Sequence, residues 1–390
     1  MKLSKRVEKI QPSATLSVLG IAKKLKGEGY PVLSFSAGEP DFISPKSALD
    51  AARDAIDRGE THYTINSGIP ELKNAVAGYY SRRFGLNYET SEIIISSGAK
   101  PVVYEALQTL VDPGDEVLVF APAWVSYVEQ IKMSDGRPIA VDTSETGFVP
   151  TVEGVESKLS PRTVGMILNS PNNPTGAVYD EATLKALARL AEENDIWVIF
   201  DEIYERLVYG DTKFVNILNA APGIRDRVIL INGVSKTFCM TGWRIGYALG
   251  PKRLITKMGD IQSHFTSNAS SIAQWAAVGA IEGAEDDAER CRSRFAKRRD
   301  ILVSLLNGID GLRIESPAGA FYVFADVRNT PIPDDIEFCE RLLSEKFVAL
   351  VPGAAFLAPG FVRISYACGE DDIREGVGRI EDFLKSKRAR

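Results

Sequence analysis

Lys236 and Arg244 stand eight residues apart in a stretch that opens Gly233-Val234-Ser235-Lys236-Thr237-Phe238 and runs on through Thr241-Gly242-Trp243-Arg244. A lysine amine is a weak nucleophile until burial or nearby cations lower its pKa from a reference value of about 10.4. Small, turn-prone Gly233 and Ser235 frame Lys236 just past the apolar run Val228 to Ile231. That setting suits an amine nucleophile. Arg244 offers a planar, permanently charged fork for phosphate. Taken singly, Lys236 is better explained as a solvated loop lysine, so the case rests on its company.

Asp201 ends the run Ile196 to Phe200 and opens Asp201-Glu202-Ile203-Tyr204. It serves equally as a helix N-cap or as a buried carboxylate facing a ring nitrogen. Tyr204, three residues on, could reach an oxygen on the same ring. Asn169-Ser170-Pro171-Asn172-Asn173-Pro174-Thr175-Gly176 is turn chemistry and needs no function. Its two prolines would also stiffen a binding loop, with Asn173 held extended by Pro174 and free to donate to an oxyanion. Ser97-Gly98-Ala99-Lys100-Pro101 joins an expected strand to an expected helix. Free N–H groups at such a helix start cradle phosphate, and proline suits its first turn. Trp124 is either a core tryptophan or a plate for a flat ring. Arg363 is a surface strand arginine or a two-pronged grip on a carboxylate. Gly38, in Ala37-Gly38-Glu39-Pro40-Asp41, lets backbone approach a ligand closely.

These residues need a frame. Apolar, β-rich runs at 92–95, 115–120, 163–168, 196–200, 228–231 and 246–249 alternate with helical patterns at 101–110 and 180–194. Runs apolar on both faces and separated by helices predict a mostly parallel sheet covered on both sides. Ligands gather at the carboxyl edge of such sheets, and Gly98, Asn169 to Asn173, Asp201 and Lys236 all follow expected strands. From about residue 285 the pattern changes to short strands at 320–324 and 361–366 between helices, which predicts a smaller α+β domain.

The chain has 390 residues, enough for two domains. With 45% apolar and 25% charged residues it reads as an ordinary globular protein. Its net charge of -6 favours neither nucleic acid nor an anionic membrane. The basic run Arg290, Arg292, Arg294, Lys297, Arg298, Arg299 alternates with apolar residues and predicts the solvated face of an amphipathic helix. Cys239, Cys291, Cys339 and Cys368 form no C-x-x-C pair, and only His62 and His264 are present. No disulfide framework and no metal centre is expected. The polar start Met1-Lys2-Leu3-Ser4-Lys5-Arg6 has no apolar core of a signal peptide, and no run has the length of a membrane span. The expected compartment is the cytoplasm.

An amine and a phosphate grip are what pyridoxal phosphate requires: an imine to its aldehyde and an anchor for its phosphate. The ordered motifs AGEPD, SGAKP, APAWVSY, NSPNNPTG, DEIY, SKTFCMTGWRIGY and FVRISYA span nearly the whole chain. In order and approximate spacing they resemble the fold-type I pyridoxal-phosphate enzymes, specifically class I/II aminotransferases of the aspartate aminotransferase type. The resemblance implies an α/β fold with a mostly parallel central sheet in a large domain, residues 46–285. Residues 1–45 plus 286–390 would form an N-terminal arm and a smaller α+β domain that closes on substrate.

It further implies that Lys236 binds pyridoxal 5'-phosphate covalently and shuttles a proton, and that Asp201 pairs with the ring nitrogen. Asn173 and Tyr204 would bond the phenolic oxygen, and Trp124 would stack on the ring. Ser235, Arg244, Gly98, Ala99 and Lys100 would surround the phosphate, helped by Tyr63 from the neighbouring subunit of a homodimer with shared active sites. Gly38 and Arg363 would take the substrate α-carboxylate, beside Trp124 and Asn173, while Lys100 and Thr15 would read a distal carboxylate. The implied reaction passes the amino group of an L-amino acid, aspartate first, to 2-oxoglutarate. The alternative is an aromatic or broad-specificity aminotransferase. Relatives that accept prephenate tend to carry a basic residue where Gln11 stands, and Pro101 replaces the usual polar residue after the lysine. A cofactor-binding DNA regulator is disfavoured, because about forty residues before Asp41 cannot hold a winged helix and linker. A nicotinamide dehydrogenase is disfavoured by the absence of G-x-G-x-x-G after any expected strand.

Overall fold

The structure is a computed structural model that describes residues 2–4 and 7–388. Met1, Lys5 and Arg6 of the polar start, and the last two positions of the 286–390 segment, lie outside the described residues.

Seven strands build the main sheet: β1 (Ile93–Ser96), β2 (Glu116–Ala121), β3 (Arg137–Asp142), β4 (Thr163–Asn169), β5 (Trp197–Asp201), β6 (Val228–Gly233) and β7 (Gly246–Leu249). Their order across the sheet is β1-β7-β6-β5-β4-β2-β3. All neighbours run parallel except β7, which is antiparallel to both β1 and β6. The runs are apolar on both faces because both faces are covered. Val117, Val119, Ile167, Ile199, Ile229 and Ile231 pack into one layer. Leu118, Phe120, Met166, Leu168, Val198, Phe200, Val228 and Leu230 pack into the other. Each fully buried aliphatic or aromatic side chain contributes about 1.5–3 kcal/mol.

The helices that matter to the site are α1 (Ala14–Gly27), α2 (Ala99–Leu110), α3 (Val125–Met133), α4 (Glu181–Glu193) and α5 (Glu285–Leu306). In α4 the Asp180 side chain caps the first turn by accepting from Thr183 N at 2.8 Å. The second helix starts at Ala99, two residues before the expected 101. Gly98 makes that start possible at φ 104°, and Pro101 falls in the first turn, where its missing N–H has no intrahelical partner to lose.

The C-terminal part carries β8 (Arg313–Ile314), β9 (Tyr322–Asp326), β10 (Val351–Pro352) and β11 (Phe361–Ser365), an antiparallel sheet ordered β10-β11-β9-β8. Its own core joins Phe321, Val323, Ala325 and Ile364 to Phe295, Leu302 and Leu306 of α5. A short parallel pair, Leu33–Ser34 with Val348–Ala349, fastens the N-terminal segment to this part. No helix among the described residues is long and apolar enough to cross a membrane.

The basic run on α5 needs one correction. Arg290, Arg294 and Lys297 are exposed as expected. Arg298 is buried, because it falls on the stripe of Phe295 and Leu302 that faces the core. There it grips Asp41 through both Nη atoms, at 2.6 and 2.8 Å. The residue expected to face solvent instead anchors the loop that carries Gly38.

Candidate active site

A cavity of about 320 Å³ opens at the carboxyl edge of the main sheet. The parallel strands converge there. Strand β4 ends in Asn169, β5 ends in Asp201, β6 runs into Ser235 and Lys236, β1 leads to Ala99, and β2 leads to Trp124. Sheet register brings Asn169 and Asp201 side by side, and Asn169 Nδ2 donates to the Asp201 carbonyl at 2.9 Å.

The amine of Lys236 projects into this cavity and donates to the Gly38 carbonyl at 2.6 Å. Burial pushes its pKa down to about 8; Arg244 and Arg363 add to the fall while Glu39 and Asp201 oppose it. A lysine so placed is deprotonated far more readily than a solvated one, as amine chemistry near neutral pH requires.

Asp201 is not a helix N-cap. It ends β5 and sits buried, its Oδ2 accepting from Tyr127 Oη at 2.6 Å and its Oδ1 from Ile203 N at 3.2 Å. Burial raises its pKa to about 6 against those two hydrogen bonds and the Lys236 charge. Among the described residues it meets a hydroxyl and a backbone N–H rather than a cation at hydrogen-bond distance, so the carboxylate is poised to accept from a cationic N–H.

Arg363 is not a surface arginine. Only 2% of it is exposed. Nη1 donates to Asn173 Oδ1 at 2.9 Å and Nη2 to the Ser36 carbonyl at 2.8 Å. Its guanidinium lies 4.4 Å from the Tyr322 ring centre and 5.0 Å from that of Phe356. Nε is buried without a partner. A buried fork with spare N–H capacity fits a carboxylate ligand. Beside it, Tyr204 and Tyr322 share a hydroxyl hydrogen bond of 2.9 Å. A methyl group at Gly38 would stand 2.7 Å from Tyr322 Oη, which is why this turn is glycine.

The opposite corner is cationic. Arg244 adopts left-handed backbone, φ 56° and ψ 56°, and Nη1 donates to the Thr241 carbonyl at 2.8 Å. A Cβ on Gly98 would meet Arg244 Nη2 at 2.5 Å, and one on Gly246 would meet Ala99 N at 2.1 Å. Two glycines therefore let the α2 N-terminus, Arg244 and Ser235 crowd together. Lys100 lies 5.0 Å from the Trp124 ring centre, its pKa lowered by burial and by Arg244. Thr15 reaches the rim from α1, hydrogen-bonded to Ser13 at 2.9 Å.

The fold thus gathers nearly all the residues singled out in the sequence around one cavity. Gly98 stands just behind it, against Arg244. Tyr63 does not join them: it is 93% exposed. Tyr127 and Tyr322 were not singled out, and Arg298 was read only as part of a solvated basic face. Only a sheet register or a helical stripe reveals them, since Tyr127 meets Asp201 from 74 positions away in sequence.

The donor set fits pyridoxal phosphate. An anion corner, an unpaired buried carboxylate, an enclosed amine of depressed pKa and a flat indole answer its phosphate, its ring nitrogen, its aldehyde and its ring face. The comparisons agree. Residues 30–380 match the family described as aminotransferase class I and II. The chain is 44% identical over 392 residues to the aspartate aminotransferase of Geobacillus stearothermophilus, covering 99% of this chain and 100% of that one. The chain belongs to the class I and II aminotransferases. It is 44% identical to the aspartate/prephenate aminotransferase of Cereibacter sphaeroides, with 98% of each chain covered. Its fold superposes on the aspartate aminotransferase from Thermus thermophilus with maleate at a TM-score of 0.95 and 42% identity, covering 98% of this chain and 100% of that one. The protein is therefore a pyridoxal-phosphate-dependent aminotransferase with a mostly parallel central sheet.

Proposed function

We propose that this aminotransferase moves the amino group of L-aspartate to 2-oxoglutarate, yielding the 2-oxo acid and L-glutamate. One observation carries the reading. Buried Arg363 and the exposed Lys100 line the same cavity as the Lys236 amine, so a dicarboxylic amino acid could find a cation for each carboxylate. The names of the Geobacillus and Thermus relatives support it.

The cofactor supplies an electron sink conjugated to the substrate Cα. Lys236 would hold it covalently and, once the substrate amine has displaced its own, would take the Cα proton and return one. Asp201, oriented by Tyr127, keeps a proton on the ring nitrogen. Tyr204 and Asn173 donate to the ring oxygen. Trp124 supports the ring, and Ser235, Arg244 and the N-terminal turn behind Gly98, Ala99 and Lys100 hold the phosphate. Arg363 and Gly38 orient the α-carboxylate, while Lys100 and Thr15 face the side-chain carboxylate. Tyr63 of the partner subunit completes the phosphate corner in a homodimer, which accounts for the 93% exposure of this aromatic beside exposed Ile65 in a single chain. Residues 46–285 form the cofactor-holding domain. Residues 1–45 and 286–390 move together, a reading supported by the Asp41–Arg298 clamp and the Leu33–Val348 pairing. The cytoplasm is the compartment, in keeping with four free cysteines.

Steady-state rates with aspartate, glutamate, phenylalanine, tyrosine and prephenate test the proposal. Lys100→Ala should lower kcat/KM for aspartate about 10- to 100-fold, the worth of one charge-assisted hydrogen bond, and leave phenylalanine nearly unchanged. Arg363→Lys should weaken every amino acid alike by a similar factor, because the fork is lost but the charge is kept. Aspartate turnover untouched by Lys100→Ala would remove the dicarboxylate reading. Leu16 and Leu19 of α1 also line the cavity, which favours the second reading, an aromatic or broad-specificity enzyme. Phenylalanine outpacing aspartate would establish it.

A further inference from the structure

Cys239 and Cys291 bring their sulfur atoms within 3.5 Å of each other across 52 positions of sequence, and both are free thiols. Neither lines the catalytic cavity, and transamination uses neither. Cys239 is buried three residues beyond Lys236, on left-handed backbone at φ 54°. It borders a groove with Ser44 and Trp243. Cys291 is half-buried on α5, the helix whose Arg298 clamps Asp41. A disulfide needs a sulfur separation of about 2.05 Å, so the two atoms must close by roughly 1.5 Å.

We propose that Cys239 and Cys291 are a reversible oxidation site, closed to a disulfide by hydrogen peroxide and reopened by a dithiol, and that the bond slows turnover. Cys291 is the attacking sulfur. It is the less buried of the two; the hydrogen bond it shares with Cys239 and the nearby Arg294 and Arg290 hold its pKa down, against burial and Asp287. The Cys291 thiolate attacks one peroxide oxygen and the O–O bond breaks. A sulfenic acid remains, and the departing hydroxide takes up the thiol proton as water. Cys239 then gives up its proton as its sulfur attacks Cys291 Sγ. The S–O bond breaks, and the second hydroxide leaves as water. Two thiols are oxidised and one peroxide is reduced to two waters.

The consequence follows from where the bond lies. The turn after Lys236 is tight: Phe238 N donates to the Val234 carbonyl at 3.2 Å and Met240 N to the Ser235 carbonyl at 3.2 Å. Drawing Cys239 toward α5 therefore displaces the amine and Arg244 on either side of it. A misplacement of about 1 Å can cost 10²-fold in rate. A transient, regulatory disulfide is also the kind a reducing compartment allows.

The experiment treats the cofactor-loaded enzyme with hydrogen peroxide. Intact mass should fall by two hydrogens, and peptide mapping should join the Cys239 and Cys291 peptides. Turnover should fall at least about 10-fold and return with dithiothreitol. Cys291→Ser should keep the untreated rate and resist peroxide; Cys239→Ser should do likewise in the mass readout. No joined peptide from wild type would overturn the proposal, as would a joined peptide with unchanged turnover, or equal peroxide loss in Cys291→Ser. The mass readout does not depend on which amino acid the enzyme prefers, so failure of the aspartate reading leaves this test intact.

Discussion

Lys236→Met is expected to abolish transamination and, in the cofactor-free protein, to raise stability at neutral pH. A positioned acid–base group contributes about 10²- to 10⁴-fold, and this one also carries the covalent anchor, so the loss should reach at least about 10⁴-fold. The stability effect comes from the same burial. With the folded pKa lowered from 10.5 to about 8, the unfolded chain holds the proton more tightly. Below pH 8 the folded protein bears the full cost of enclosing the ammonium, roughly 3.5 kcal/mol. Between pH 8 and 10.5 the unfolded state alone stays protonated, so wild-type stability climbs through that window. Methionine removes the titration and keeps the methylene packing. Urea midpoints of the two cofactor-free proteins should therefore differ most at pH 7 and converge toward pH 10.5. Borohydride treatment of the loaded wild type followed by peptide mapping should mark Lys236. An unmarked Lys236, or an active Lys236→Met, would defeat the catalytic assignment.

Much of this arrangement was legible in the sequence, for a physical reason. In a doubly covered parallel sheet the apolar strands announce themselves, and their carboxyl ends must share one edge. Asp201, Asn173, Lys236 and Gly98 could thus be placed together from the sequence. The antiparallel entry of β7 was not legible, because buried strands read alike in either direction. Arg298 was misplaced because composition averages over a helix while burial follows single positions: three residues past Phe295 and four before Leu302, it cannot face water. Tyr127 was overlooked because its partnership with Asp201 depends on β2 and β5 flanking β4, a register no local pattern encodes. The Cys239–Cys291 approach is of the same kind, two elements meeting far apart in sequence. Tyr63 is a different case, since one chain supplies no partner for it.

Asp201→Asn should separate what burial costs from what it makes possible. Folding raises this carboxyl from 3.8 to about 6, burial outweighing its hydrogen bonds from Tyr127 and Ile203. Between those two values the folded state holds the extra proton, so stability of the cofactor-free protein falls as pH rises through the window. By pH 7 the full deficit, roughly 3 kcal/mol, is in place. Asparagine is nearly isosteric. Its carbonyl can still accept from Ile203 N, and its amide can donate to Tyr127 Oη, since a hydroxyl both gives and takes. The variant should therefore melt higher than wild type at pH 7 without cofactor, and lose the decline between pH 4 and 6. Binding the cofactor reverses the order, because only the carboxylate can hold a proton on the ring nitrogen by charge. Turnover should drop about 10²- to 10³-fold, the scale for losing one preorganised charge contact. Melting both proteins with and without cofactor, across pH, reads each half separately. A variant less stable than wild type in the cofactor-free state at pH 7 would contradict the burial argument. Undiminished turnover would contradict the role assigned to Asp201. Both effects have one source: a charge that folding leaves uncompensated is available to be compensated by a ligand.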